Sequence, residues 1–231
     1  MKLLKNKNLY AKLILQLLTF LIIFAQICLA AADDIERIKK DLNSSDWKIR
    51  LKAVENLSSK RNEDAVNLLM EVAVKRGENW PVKKKAILTL GEIKDPKAIE
   101  ILLSIFNDPF LNWECPALKS YTALALGNFK GDARVVDALI KGMKDRELLT
   151  REASIRSLGK IGDSRAVPHI INLLGDKSAA IKLSAIKALE EIGDDQAISH
   201  LQYLAENDND SLIKREANAS LNNFRKHKDY R

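Results

Sequence analysis

The chain has 231 residues, with 38 lysines and arginines against 31 acids and a formal net charge of +7. Four of those lysines, Lys2, Lys5, Lys7 and Lys12, open the chain with no acid among them, so the remainder carries only +3. Over about 200 residues that is ordinary surface charge, and it excludes the clustered basic footprint of a nucleic-acid binder.

Residues 1–32 have the order of a secretory signal peptide. The lysines are followed by an apolar run from Leu13 to Leu29, broken by Gln16, Thr19 and Gln26, then by Ala30, Ala31 and Ala32 before Asp33 and Asp34. Basic, apolar, then small is what signal peptidase substrates share. Cleavage after Ala32 fits best, with Ala30 as the second site. The alternative is an uncleaved anchor to the inner membrane by residues 13–29, because that run approaches the length that spans a bilayer. A lipoprotein at Cys28 ranks last, since Ile27 before it is too large. The expected location is outside the cytoplasm, in a bacterial periplasm. With Cys28 in the leader, Cys115 stands alone and no intramolecular disulfide can form.

Beyond the leader the chain repeats. Leu57, Leu90, Leu126, Leu158, Leu189 and Leu221 recur at intervals of 33, 36, 32, 31 and 32 residues. Four residues before each stands a small side chain (Ala53, Ala86, Thr122, Ser154, Ala185, Ala217), and seven before each a base. A period of this length marks a solenoid, in which each unit buries its apolar face only against its neighbours. The units run over about 34–64, 65–96, 97–132, 133–164, 165–195 and 196–224, with a basic tail at 225–231.

In chain order, first helices are predicted from Ala65, Ala98, Val135, Ala166 and Ala197, and second helices after Asp46, Asn79, Asn112, Glu147, Ser178 and Asp210. Most of those six residues cap a helix or favour its N-terminus. In the fifth unit, Arg165 to Leu174 carries apolar residues at helical spacing, with Pro168 in the first turn, where its missing N–H costs nothing. Ser178 caps the next helix, whose stripe is Ile181, Ala185, Ala188, Leu189 and Ile192. Gly193 ends it. Six layers at 8–10 Å give a rod roughly 50–60 Å long.

Runs such as Ile181 to Asp194, and Thr150-Arg151-Glu152-Ala153 leading to Leu158-Gly159-Lys160-Ile161-Gly162-Asp163, resemble the HEAT-repeat family. The resemblance is greatest to its short-repeat branch, also found in phycobilin lyase subunits, and covers residues 34 to about 224. It implies an all-α fold: a right-handed α-solenoid of about six helix-turn-helix, HEAT-like repeats. It also implies a scaffold that binds other proteins on a concave face lined by the second helices. The first unit departs from the pattern with Ser58 in place of glycine, the third carries an insertion from Phe110 to Pro116, and the sixth has Asn222-Asn223. Units one and six read as end caps.

Three constellations carry candidate function. The bases Arg50, Lys83, Lys119, Arg151, Lys182 and Lys214 read as a structural ladder, each pairing with an acidic turn or cap among Asp46, Asp95, Asp132, Glu147, Asp163, Asp194 and Asp210; the alternative is a positive stripe for an acidic partner. Trp47, Trp80 and Trp113 recur at 33-residue spacing, each opening a second helix. Their simpler reading is packing between layers, and the sharper one an aromatic edge that anchors a partner. Phe106, Phe110 and Tyr121 gather in the same third unit, making it the specialised place. Positions two before and two after each leucine should face the concave side: Glu55, Leu88, Leu124, Arg156, Lys187 and Ala219, with Ser59, Glu92, Asn128, Lys160, Glu191 and Asn223. The candidate partner-binding set is Trp113, Tyr121, Leu88, Leu124, Arg156, Lys160 and Lys187.

Catalysis finds no support in the chain, which pairs no Ser, His and Asp in sequence and has no glycine-rich phosphate loop or CxxC. His169 and His200 hold equivalent places about 10 Å apart, too far to share one ion, so neither a metal nor a cofactor is expected. The expected function is an exported, non-enzymatic scaffold for a protein or peptide partner, with no nucleic acid. The alternatives are a lyase-like or chaperone-like accessory subunit and, third, a nucleic-acid-binding HEAT-like protein.

Overall fold

The computed structural model describes residues 16–23, 26, 34–109, 115 and 117–229, with side chains as far as Phe224. All regular structure among these residues is helical. The chain divides into two units, Met1–Asn56 and Leu57–Arg231.

In the first unit, residues 16–23 are helical and exposed, and α1 (34–42) precedes α2 (Trp47–Leu57). Ile35, Ile38 and Leu42 fall on one stripe of α1 and are buried, as are Ala53 and Val54 of α2. Asp46 caps α2, its Oδ1 accepting the Lys48 backbone N–H at 2.8 Å.

The second unit repeats a helix pair: α3 (Glu63–Val74) with α4 (Trp80–Ile93), α5 (Ala98–Asn107) with α6 (Ala117–Leu126), and α7 (Ala133–Gly142) with α8 (Leu148–Ile161). The next first helix is short: α9 (Val167–Ile171) lies between two 3-10 turns, Ser164–Ala166 and Asn172–Gly175, and precedes α10 (Ala179–Ile192). Pro168 sits in the first turn of α9, as its missing N–H requires. The unbroken helix expected over Arg165 to Leu174 is thus a five-residue α-helix with tightened ends. The last pair is α11 (Ala197–Asn207) and α12 (Ser211–Asp229). The expected helix start after Asn112 lies outside the described residues.

Local chemistry sets the boundaries. Asn62 Oδ1 accepts the Ala65 N–H at 3.0 Å, and the Ser178 hydroxyl accepts that of Ile181 at 3.5 Å, the cap expected from the sequence. Gly162 and Gly193 end α8 and α10 in the left-handed conformation, with φ of 78° and 72°. Lys94 holds the same place after α4 at φ 62°, without glycine's freedom.

The second helices form the inner stack: α4 packs on α6, α6 on α8, α8 on α10 and α10 on α12. Leu90, Leu126, Leu158 and Leu189 are fully buried in it, each worth about 1.5–3 kcal/mol. The residue after the leucine sets how closely helices meet. A Cβ on Gly91 would lie 2.7 Å from Ala125 Cα, and one on Gly159 2.8 Å from Ala188 Cα. Gly127 faces Ser157, whose hydroxyl donates to the Ala123 carbonyl at 2.8 Å, joining α6 and α8. The small residue four before the leucine serves the paired helix instead: Ser154 of α8 abuts Gly142 of α7. Among the described residues α12 is the last helix of the stack. Where Ile87, Ile155 and Ile186 are buried, Asn218 is exposed.

Candidate functional site

The residues predicted from helix phase lie on the second helices with differing exposure. Leu88, Leu124, Asn128 and Asn223 are half-buried, and Glu92, Arg156, Lys160, Lys187, Glu191 and Ala219 are exposed. Lys160 Nζ donates to Asn128 Oδ1 at 2.6 Å, joining α8 to α6, and Asn223 Nδ2 donates to Glu190 Oε1 at 2.8 Å, joining α12 to α10. Two adjacent cavities open on this face. One, of about 320 Å³, lies between α8 and α10 and is lined by Arg156, Leu183, Ser184, Lys187, Ala188 and Glu191. The next, of about 550 Å³, lies between α10 and α12, where Leu183, Ile186, Lys187 and Glu190 face Leu212, Glu216, Ala219 and Asn223.

The structure thus brings Arg156 and Lys187 of the candidate set to one cavity, with Lys160 a turn further along α8. It adds Leu183, Ser184, Leu212 and Glu216, which the sequence reading missed. The signal was available: Leu212 and Glu216 stand seven residues before Ala219 and Asn223, and Leu183 four before Lys187, spacings that share a helix face.

Tyr121 and Trp80 meet elsewhere. Lys84 Nζ lies 4.5 Å from the Tyr121 ring centre and 5.9 Å from that of Trp80, so one ammonium bridges α4 and α6 through two π-faces. Trp80 is 53% exposed. The expectation that the tryptophans bury ring area between layers is therefore corrected at Trp80: its place at the first residue of α4 leaves its ring at the surface, with the Lys84 ammonium over it. Trp47 is half-buried, and Trp113 lies outside the described residues.

The basic column is a ladder with different partners from those expected. Asp145, in the turn between α7 and α8, accepts Lys119 Nζ on Oδ2 at 2.6 Å and the Glu147 N–H on Oδ1 at 2.9 Å, and its backbone carbonyl accepts Arg151 Nη1 at 3.1 Å. Asp208 repeats this two units on, taking Lys182 Nζ at 2.5 Å and the Asp210 N–H at 2.8 Å, while Lys214 Nζ donates to the Glu206 carbonyl at 2.8 Å. In the first unit, Arg50 Nη1 donates to the Ser44 and Ser45 carbonyls at 2.8 and 3.0 Å. Lys83 is buried, at 2% exposure. Burial pushes the Asp145 carboxyl up, but the hydrogen bonds from Lys119 and the Glu147 N–H outweigh it and hold it below the usual range. At Asp208 the Lys182 hydrogen bond leads, with the same direction.

The acids first assigned to this ladder are mostly occupied by their own helix starts. Asp46, Asp95, Asp132, Asp163, Asp194 and Asp210 each accept the backbone N–H two residues on, the local bond that short carboxylates favour. Asp132 and Asp163 also take the guanidinium groups of Arg134 and Arg165, whose hydrogen bonds hold both carboxyls below their usual range. A second set of ion pairs joins successive first helices: Glu63 with Lys97, Glu100 with Arg134, and Asp137 with Arg165. Its signature is Asp-x-Lys/Arg at each helix start, in Asp95-Pro96-Lys97, Asp132-Ala133-Arg134 and Asp163-Ser164-Arg165.

Among the described residues no group of His, Cys, Asp and Glu could hold a metal ion, and His169 and His200 are exposed. Cys115 is half-buried.

Paired helices stacked through a leucine–glycine inner column define an α-solenoid of HEAT-like repeats. The HEAT-repeat family matches residues 35–113, 109–172 and 151–222, and the chain belongs to it. The fold is similar to that of the CpcE–CpcF complex of phycocyanin lyase from Nostoc sp. PCC7120, with 24% identity, 79% of this chain and 74% of that one covered, and a TM-score of 0.56. It is also similar to a designed armadillo repeat protein in complex with the peptide (KR)4, with 15% identity, 81% and 98% covered, and a TM-score of 0.55. Computationally designed armadillo repeat proteins for modular peptide recognition match at 16% identity, 81% and 98% covered, and a TM-score of 0.52. Comparison with curated protein sequences finds no match.

Proposed function

We propose that this chain is an exported, non-enzymatic scaffold that binds a protein or peptide partner on the face of its second helices. One observation carries the reading: two neighbouring cavities run across α8, α10 and α12, each lined by both apolar and charged side chains. Alternating apolar and charged surface suits a polypeptide, which offers both kinds of side chain. A nucleic-acid backbone would need bases alone, whereas Glu191 and Glu216 stand among the lining residues here. The designed armadillo proteins, one named for modular peptide recognition and one in complex with the peptide (KR)4, support a polypeptide partner. The likeness to phycocyanin lyase is one of fold. Export rests on the basic, apolar, Ala30-Ala31-Ala32 order of the leader.

The test is a photo-crosslinking side chain placed at Leu212 or at Gln202, the latter exposed on α11, in the living source cell. The expected result is one discrete crosslinked protein from position 212 and none from position 202. Equal labelling from both positions, or none from either, would overturn the reading.

A further inference from the structure

The two cavities differ in charge balance. Among the ionisable groups lining them, the carboxylates are partly tied down: Glu190 accepts Asn223, and Glu216 accepts both Arg215 Nε and Nη2, at 3.1 and 2.9 Å. Among the described residues the side chains of Arg156 and Lys187 make no ion pair within 4 Å and no hydrogen bond, and both line the cavity between α8 and α10. Lys160, one turn beyond Arg156 on the same face, donates to the neutral Asn128 oxygen. Two cations four residues apart on a helix repel each other. Lys187 adds a third from the next layer. Nearby, Glu152 is half-buried one turn before Arg156, and Glu191 lines the same cavity. Among the described residues no ion pair within 4 Å joins either of them to a base.

We infer, resting on the proposed function, that this cavity takes a carboxylate side chain of the partner between Arg156 and Lys187, with a bulky apolar residue beside it in the Leu183–Leu212 cavity. The partner segment is therefore acidic and apolar together. Arg156 offers the planar fork that matches a carboxylate, and Lys187 a second donor from the facing helix. The apolar lining accounts for the neighbouring side chain: Leu183 lines both cavities, and Leu212 is 37% exposed. Glu191 and Glu216 set the limit on charge. A single carboxylate fits between the bases, whereas a run of phosphates would meet those acids as well.

The experiment is selection of phage-displayed random dodecapeptides on the full-length protein. It is repeated on Arg156→Glu/Lys187→Glu, on Leu212→Asp, and on Lys144→Glu, a control on an exposed turn. Circular dichroism confirms that each variant keeps its helicity. The expected peptides carry Asp or Glu next to Leu, Ile or Phe. They should lose at least tenfold in affinity on the double charge reversal, lose binding on L212D and bind K144E unchanged. Selection on the double reversal should instead enrich Lys or Arg beside the same apolar residue. Peptides that depend on Leu212 but show no acidic preference would overturn the inference and leave the second-helix binding reading standing. Peptides indifferent to every groove variant would overturn both. Phosphatidylglycerol vesicles bound through Arg156 and Lys187 more tightly than any peptide would overturn the assignment of a polypeptide carboxylate.

Discussion

Lys119 Nζ lies 2.6 Å from Asp145 Oδ2, joining the second helix of one unit to the turn of the next. The pair is part-buried, and the Asp145 backbone carbonyl also holds Arg151. An unfolded aspartate titrates near pH 3.9, and both Asp145 and Asp208 are held lower in the fold. The native state therefore keeps carboxylates where the unfolded chain has begun to bind protons. Their contribution is complete above about pH 4 and declines as the pH falls through the folded values. Asp145→Asn should cost about 1–3 kcal/mol at pH 7 and flatten the decline in acid. Urea midpoints across pH read this directly; a variant as stable as the parent at neutral pH contradicts it.

The glycine after the repeat leucine should tolerate no side chain. Gly159→Ala gains helix propensity worth about 1 kcal/mol but forces a methyl to within 2.8 Å of the Ala188 backbone. Net destabilisation of about 1–3 kcal/mol is expected, the usual cost of overpacking. Gly175, with nothing within 4 Å of its added Cβ, is the control and should change little. Thermal unfolding compares the two, and equal midpoints would rule out the close-approach account.

Trp80 should contribute little to stability despite its size. With its ring more than half exposed, Trp80→Ala is expected to cost under about 1 kcal/mol, against about 2–5 kcal/mol for Leu90→Ala, which empties a fully buried site. Denaturant unfolding of both variants checks the contrast. A Trp80 loss as large as that at Leu90 would restore the packing reading.

The leader should be removed. N-terminal sequencing of the chain recovered from its source is expected to begin at Asp33 and to find it outside the cytoplasm. An intact chain in the membrane fraction would support the anchor over residues 13–29 instead, and recovery from the cytosol would contradict export.

The stacking was legible because the same leucine returns with each helix pair, and Leu57, Leu90, Leu126, Leu158 and Leu189 are fully buried. That Arg156, Lys160 and Lys187 are exposed on their helices was legible too, since helix phase alone sets which positions leave the core. Leu183, Leu212 and Glu216 were missed because the face was read only two residues either side of the leucine, whereas it runs two further turns toward the helix start. The ladder was read in kind but not in partner. An aspartate can cap its own helix or reach a base in another unit, and composition does not distinguish the two. Asp132 and Asp163 did the first, and Asp145 and Asp208 did both. Trp80 misled because a large aromatic ring is usually buried, and only the geometry of the α4 start shows it is not.

Hydrogen exchange of the full chain, with and without the partner captured at Leu212, tests the central claim most directly. The expected result is slowed exchange confined to α8, α10 and α12. Slowing confined to α7, α9 and α11 would place the partner on the first helices and contradict the account.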